Sequence, residues 1–163
     1  MAIVSTSIEI AASPATVREK FLDFPSLQTY SPTGFIRSIE PDGASTAAKN
    51  LKAGDKIHVT AGYGKWKFSP LVEQNTEELF GWRGSVPGIF TGAHAFRFES
   101  VSDSDTTGAE ARTRLVHEER FSGLLAGLMG EGYFGSLFGM REDTRKGFEG
   151  FNADFKKWVE SSK

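Results

Sequence analysis

The sequence predicts an α+β fold in which a curved, seven-stranded antiparallel sheet wraps a long C-terminal helix, with two short helices after strand 1. Three observations predict it. Segments spread from Ile3 to Phe121 alternate apolar and polar side chains with the period of two that a half-buried strand requires. Turn-forming residues stand between several of them, as in Pro41-Asp42-Gly43, Gly62-Tyr63-Gly64 and Gln74-Asn75-Thr76. Near the C-terminus Phe148, Phe151, Phe155, Trp158 and Val159 follow three-and-four spacing instead, which lines them up as one stripe of a helix. A stripe of rings needs a large apolar surface to cover it, and the sheet is the surface this chain offers.

Residues 3–10 form the first strand. Ser13 followed by Pro14 starts a helix, with the serine as N-cap and the proline in the first helical position. Val17 and Phe21, four apart, make its apolar side, and Phe24-Pro25 ends it before a second short turn through Leu27 and Tyr30. Beyond Pro32 and Gly34, residues 35–40, 55–61, 65–73 and 77–83 are four further strands. Alternation turns Ile57, Val59, Trp66, Phe68, Phe80 and Trp82 inward, and His58 and Arg83 outward. Residues 92–100 and 112–121 complete the sheet, joined by a solvated hairpin tip at 103–110. A glycine-rich apolar stretch follows at 122–132, and the long helix begins near Tyr133.

The last two strands carry the most informative pattern. His94, Phe96 and Phe98 share a face in one; Thr113, Leu115, His117, Glu119 and Phe121 share a face in the other, while arginines and glutamates mark the opposite, wet side. His94, His117 and Glu119 thus lie among phenylalanines, where a polar group is costly unless paired or functional. Two hairpin registers keep both apolar faces together. Either His94 opposes His117 and Phe96 opposes Leu115, or His94 opposes Glu119 and Phe98 opposes Leu115; both cluster the polar groups at the open end of the hairpin.

At 163 residues the chain has the length for one domain over 1–163, and no stretch reads as a linker. A formal net charge of -2, with lysines and arginines scattered, leaves no electrostatic footprint for nucleic acid. The absence of cysteine excludes disulfides and thiolate chemistry. No segment has the order of a signal peptide, and no apolar run is long enough to span a bilayer. A cytoplasmic protein without stable membrane insertion is expected, as a monomer or weak dimer. Fourteen Phe and three Trp imply that a core or a cavity is lined by rings.

Several phrases resemble the START-like or SRPBCC superfamily, especially its polyketide cyclase/dehydrase and lipid-transport branch. They are IEIAASPATVREKF at 8–21, Asp23-Phe24-Pro25, Gly54-Asp55, Trp82-Arg83-Gly84 through Gly92 with His94-Ala95-Phe96, and TRLVHEERFSG at 113–123. Asn152 in the last helix also stands where such proteins often carry an asparagine. The resemblance covers nearly the whole chain, and the order of elements is that of the helix-grip fold. It implies a deep hydrophobic cavity between sheet and long helix, open near the loops and the helix start. The superfamily includes sterol, lipid and quinone binders, aromatase/cyclases, plant hormone receptors and chaperone activators, so the fold does not select among them.

The function expected is binding of a small hydrophobic molecule, aromatic, polyketide-like or lipid- or quinone-like, in that cavity. His94, His117 and Glu119 are its polar anchor or catalytic group; Trp66, Phe68, Trp82, Phe90, Phe96, Phe98, Leu115, Phe121, Phe148 and Phe151 are candidate walls. The alternative is a cyclase, aromatase or dehydratase in which a His or Glu of the cluster moves a proton, and a third reading is a protein-interaction module. Two His and one Glu also match a catalytic zinc set in composition, but no pattern of supporting groups accompanies them, so neither metal nor cofactor is expected. Residues 88–92 and 124–129 resemble mobile lids. The Gly130-to-Gly135 match to G-x-G-x-x-G follows no strand, and there is no nucleophile elbow or phosphate-binding loop, so nucleotide and serine-hydrolase functions are unsupported.

Overall fold

The computed structural model describes residues 1–43, 46–86, 90–101, 110–123 and 135–161, apart from the side chains of residues 86, 90, 135–138 and 140. The expected hairpin tip, the lid at 124–129, the glycine motif at 130–135 and the helix start at Tyr133 lie wholly or largely outside the described residues; of the lid at 88–92, residues 88 and 89 lie outside them and 90–92 belong to a strand.

Strand β1 (Ala2–Ile10) leads into α1 (Pro14–Phe21), a 3-10 turn (Phe24–Ser26) and α2 (Leu27–Tyr30). Then come β2 (Ser38–Pro41), a second 3-10 turn (Ala48–Asn50), β3 (Ile57–Ala61), β4 (Trp66–Phe68), β5 (Leu71–Asn75), β6 (Leu79–Val86), β7 (Phe90–Val101), β8 (Arg112–Ser122) and the long helix α3 (Gly135–Ser161). The Ser13 hydroxyl accepts from the Thr16 amide at 3.2 Å, with Pro14 in the first turn as its sequence position requires.

There are eight strands among the described residues, not seven, and they form two sheets: β1-β8-β7-β6-β5 and β2-β3-β4. The expected strand at 65–73 is broken at Ser69-Pro70. Proline has no amide hydrogen for a ladder, so the chain changes sheets there. The Ile57 amide donates to the Pro70 carbonyl at 3.0 Å and the Val72 amide to the Asp55 carbonyl at 2.8 Å, so the two sheets stay joined at this corner. The break also overturns the inward placement of Trp66 and Phe68, which are 46% and 39% exposed. Strand β4 is a three-residue edge whose one hydrogen-bonded neighbour is β3, so alternation along it does not sort a dry face from a wet one. His58 and Arg83 do face solvent, the imidazole bonded to Ser69 and Asp42 and the guanidinium paired with Glu73.

Strands β7 and β8 adopt the second of the two registers, with His94 opposite Glu119, Phe96 opposite His117 and Phe98 opposite Leu115. Their inner face packs on α1 and α3. Phe21 of α1 meets Phe96 with ring centroids 4.4 Å apart and also touches Phe24, Phe80, Phe98 and Phe155, so both helices share one cluster of rings with the sheet. Beyond it, Tyr30 stacks on Trp158 at 4.7 Å, and the Ser31 hydroxyl donates to Asp154 at 2.6 Å, tying α2 to the C-terminal half of α3.

Helix α3 approaches the residues before β2 so closely that Gly147 has no room for a side chain: a Cβ there would lie 2.3 Å from the Phe35 ring. Gly150, one turn on, is exposed with nothing within 4 Å of such a carbon. The two glycines therefore respond oppositely. Gly150→Ala should raise the unfolding free energy by about 0.5–1 kcal/mol through helix propensity alone. Gly147→Ala should lower it, since Phe35 must move; urea denaturation of both variants checks the opposite signs.

Candidate functional site

The β7–β8 register and the position of α3 bring five polar side chains into one line through an apolar interior. His94 and His117 face each other Nε2 to Nε2 at 2.7 Å, His117 Nδ1 stands 3.1 Å from the Asn152 Oδ1 of α3, and the Asn152 amide nitrogen donates to the Thr6 hydroxyl of β1 at 3.0 Å. At the other end His94 Nδ1 lies 3.4 Å from Glu119 Oε2. The imidazole planes are held by rings: Trp82 stacks on His94 at 4.5 Å, and Phe148 on His117 at 3.8 Å.

The partners dictate the proton positions. Burial, and next the neighbouring His94, hold His117 well below the usual imidazole range against the opposing pull of the Asn152 hydrogen bond, so His117 is neutral near pH 7. Its one proton sits on Nδ1, because Asn152 Oδ1 can only accept. Its Nε2 is then an acceptor, and His94 must donate to it from Nε2. That leaves His94 Nδ1 facing Glu119 Oε2, two atoms that can each accept or carry a proton. A molecule beside this pair can exchange a proton with it, whereas the His117 proton is sealed in.

The pair borders a cavity of about 570 Å³ between the two sheets and α3. Phe35, Ile36, Val59, Trp82 and Phe121 supply apolar wall; His94, Glu119, Ser85 and Thr144 supply the polar atoms. Trp66 and Phe68, with Lys65 and Lys67, border the same cavity where it is exposed to solvent.

Among the residues singled out from the sequence, His94, Glu119, Trp66, Phe68, Trp82 and Phe121 border this cavity. His117 lies behind His94 and is completely buried. Phe96, Phe98, Leu115, Phe148 and Phe151 are packed in the core. The Phe90 side chain lies outside the described residues. Sequence reasoning gave no role to Thr6, Thr144, Phe35 or the two mouth lysines, and named Asn152 without a partner. Two of these left a signal: Thr6 interrupts the buried alternation Val4, Ile8, Ile10, and Asn152 interrupts the stripe Phe148, Phe151, Phe155. Among the described residues no three His, Cys, Asp or Glu side chains are arranged to hold a metal. The Nε2 atoms of the two histidines are occupied by each other.

A family model described as polyketide cyclase / dehydrase and lipid transport matches residues 1–160. No curated protein matches the chain. Solved structures resemble it in fold at low identity. A START superfamily protein from Mycobacterium smegmatis is 14% identical with a TM-score of 0.66, covering 99% of each chain. A hypothetical protein from Helicobacter pylori is 15% identical with a TM-score of 0.68, covering 97% of this chain and 88% of its own. The Zhui aromatase/cyclase from Streptomyces sp. R1128 is 14% identical with a TM-score of 0.57, covering 99% of this chain and 92% of its own.

The buried imidazole imposes a pH dependence on stability. Above about pH 6.5 it is neutral in the folded and the unfolded chain alike. Below that value the unfolded chain takes up a proton that the folded chain refuses. Stability therefore falls as pH drops, by about 1.4 kcal/mol per pH unit from this group, until the folded imidazole itself titrates. Urea unfolding at pH 7, 6 and 5 should show this slope in the native chain and its loss in His117→Phe; parallel curves would overturn the assignment. Asn152→Leu, which strands the His117 Nδ1 proton, should cost about 1–3 kcal/mol at every pH.

Proposed function

The chain belongs to the polyketide cyclase / dehydrase and lipid transport family, and from that premise we propose that it holds one small hydrophobic molecule in the cavity beside β6, β7 and β8. The observation that carries this reading is the cavity itself, about 570 Å³ with mostly apolar walls and a single His–Glu pair set into them. Ligand sites have this composition, a large apolar surface for affinity and a few polar atoms that fix orientation. An aromatic, polyketide-like or lipid- or quinone-like molecule fits that chemistry: its rings or chain lie against Trp82 and Phe121, and its oxygen meets the His94–Glu119 pair.

That pair also favours a second reading, a reaction of the cyclase, aromatase or dehydratase kind, as the name of the Streptomyces neighbour suggests. The cavity would fold a flexible substrate by shape while one member of the pair takes a proton from the carbon beside a carbonyl and the other returns one to oxygen. His117 and Asn152 are positioning residues in either case, since they fix which nitrogen of His94 faces the cavity.

Native mass spectrometry of the purified protein, followed by identification of any released passenger, tests the binding reading. A stoichiometric hydrophobic molecule is expected, and Trp82→Ala, which enlarges the wall, should change which molecule is retained. A protein that stays empty and takes up no neutral aromatic probe would overturn the reading. Glu119→Gln separates the two roles: a carrier changes only in affinity, whereas an enzyme loses turnover while affinity stays within about tenfold, roughly 1.4 kcal/mol.

A further inference from the structure

The cavity mouth differs in charge from its interior. Lys65 and Lys67 alternate with Trp66 and Phe68, and all four are exposed and border the cavity. Elsewhere on the fold several charged side chains are paired: Arg83 with Glu73, Arg97 and Arg120 with Glu118, Lys146 with Glu142, Lys156 with Glu160. Neither Lys65 nor Lys67 has a carboxylate within 4.0 Å among the described residues. Two unpaired ammonium groups thus stand at an apolar opening in a chain whose net charge is -2. Deeper in, the wall carries the Glu119 carboxyl beside His94 and no lysine or arginine.

Lys65 is also where a second hollow begins. This hollow, about 530 Å³, shares Phe35, Lys65, Trp66 and Thr144 with the first, and Asp143 and Lys146 also border it. Trp66 seats over Gly62, where a Cβ would lie 2.6 Å from the indole, and its ring borders both hollows.

We propose, resting on the binding reading above, that the ligand is an anionic amphiphile: its neutral, oxygen-bearing apolar body occupies the cavity, and a carboxylate, sulfonate or phosphate remains at the mouth between Lys65 and Lys67. Polarity sets the direction of entry. An anion driven inward would leave water and meet a carboxyl-bearing wall with no cation to compensate it. At the mouth it keeps water on one side and gains two ammonium groups on the other.

Two fluorescent probes with one ring system test this, 8-anilino-1-naphthalenesulfonate and its uncharged parent N-phenyl-1-naphthylamine. In Lys65→Gln/Lys67→Gln the dissociation constant of the sulfonate should rise by about five- to tenfold, the range expected for two exposed ion pairs. The neutral amine should bind as it does to the native chain. Lys65→Arg/Lys67→Arg should restore sulfonate binding, and Lys49→Gln/Lys157→Gln, the same change in net charge at exposed positions off the cavity, should leave it unaltered. Added salt should erode the sulfonate's sensitivity to the mouth substitutions. If both probes bind the native chain and the mouth substitutions move neither, the anionic inference fails while the cavity reading stands. If the neutral amine does not bind at all, the cavity reading fails and takes this inference with it.

Discussion

An imidazole buried among phenylalanines constrains most of this structure. His117 is wholly enclosed, yet each of its ring nitrogens requires a partner, and those partners come from two different elements: His94 across the hairpin and Asn152 on the long helix. Sliding β8 by two residues would keep its apolar face inward and still carry Glu119 away from His94 and His117 away from Asn152. Turning α3 by one residue, about 100°, would carry Asn152 away and strand a buried N–H. Hydrophobic packing alone tolerates several registers and rotations, whereas this hydrogen-bonded line accepts one of each. It runs on through Asn152 to Thr6, so β1 is held in the same register as the hairpin and the helix.

The same line separates packed interior from open interior. On one side Phe21, Phe80, Phe96, Phe98 and Phe155 interlock and leave no room for a guest. On the other, no short helix among the described residues borders the space: the chain passes from the three-stranded sheet to the five-stranded one at Pro70, and the gap beside Trp82 and Phe121 is the cavity. His94 stands at the boundary, with one nitrogen committed to the core and one turned to the cavity side. A proton-exchanging group on a rigid frame follows from that position, because the stacked rings of Trp82 and Phe148 leave neither imidazole freedom to tilt.

Much of this was legible in the residues. Alternation along β7 and β8 identified the inward set and reduced the pairing to two registers, and the three-and-four stripe identified α3, because both patterns follow from where side chains point. The choice between registers was not legible, since both bury the same phenylalanines; the bond from His117 to a helix far along the chain decides it. Nor does alternation report depth. Phe96 and Trp82 both face inward, yet one is sealed in the core and the other borders a cavity, a distinction that depends on what α1 and the second sheet cover. Trp66 and Phe68 show the complementary failure: a short edge strand after a glycine turn keeps the period of two although all three of its side chains are exposed. Pro70 was the visible warning, because a proline amid a strand pattern argues for an edge or an end.

The close approach of Gly147 to Phe35 has a consequence for how relatives with this architecture can diverge. Phe35 is cavity wall on one side and is pressed by the helix backbone on the other, so a methyl group added at Gly147, which itself borders no part of the cavity, would push the wall inward. The size of molecule admitted is thus encoded partly on the outer side of the wall. Two chains with identical lining residues can select ligands of different girth through one helical position that never touches them, and a comparison confined to lining residues would assign them the same preference.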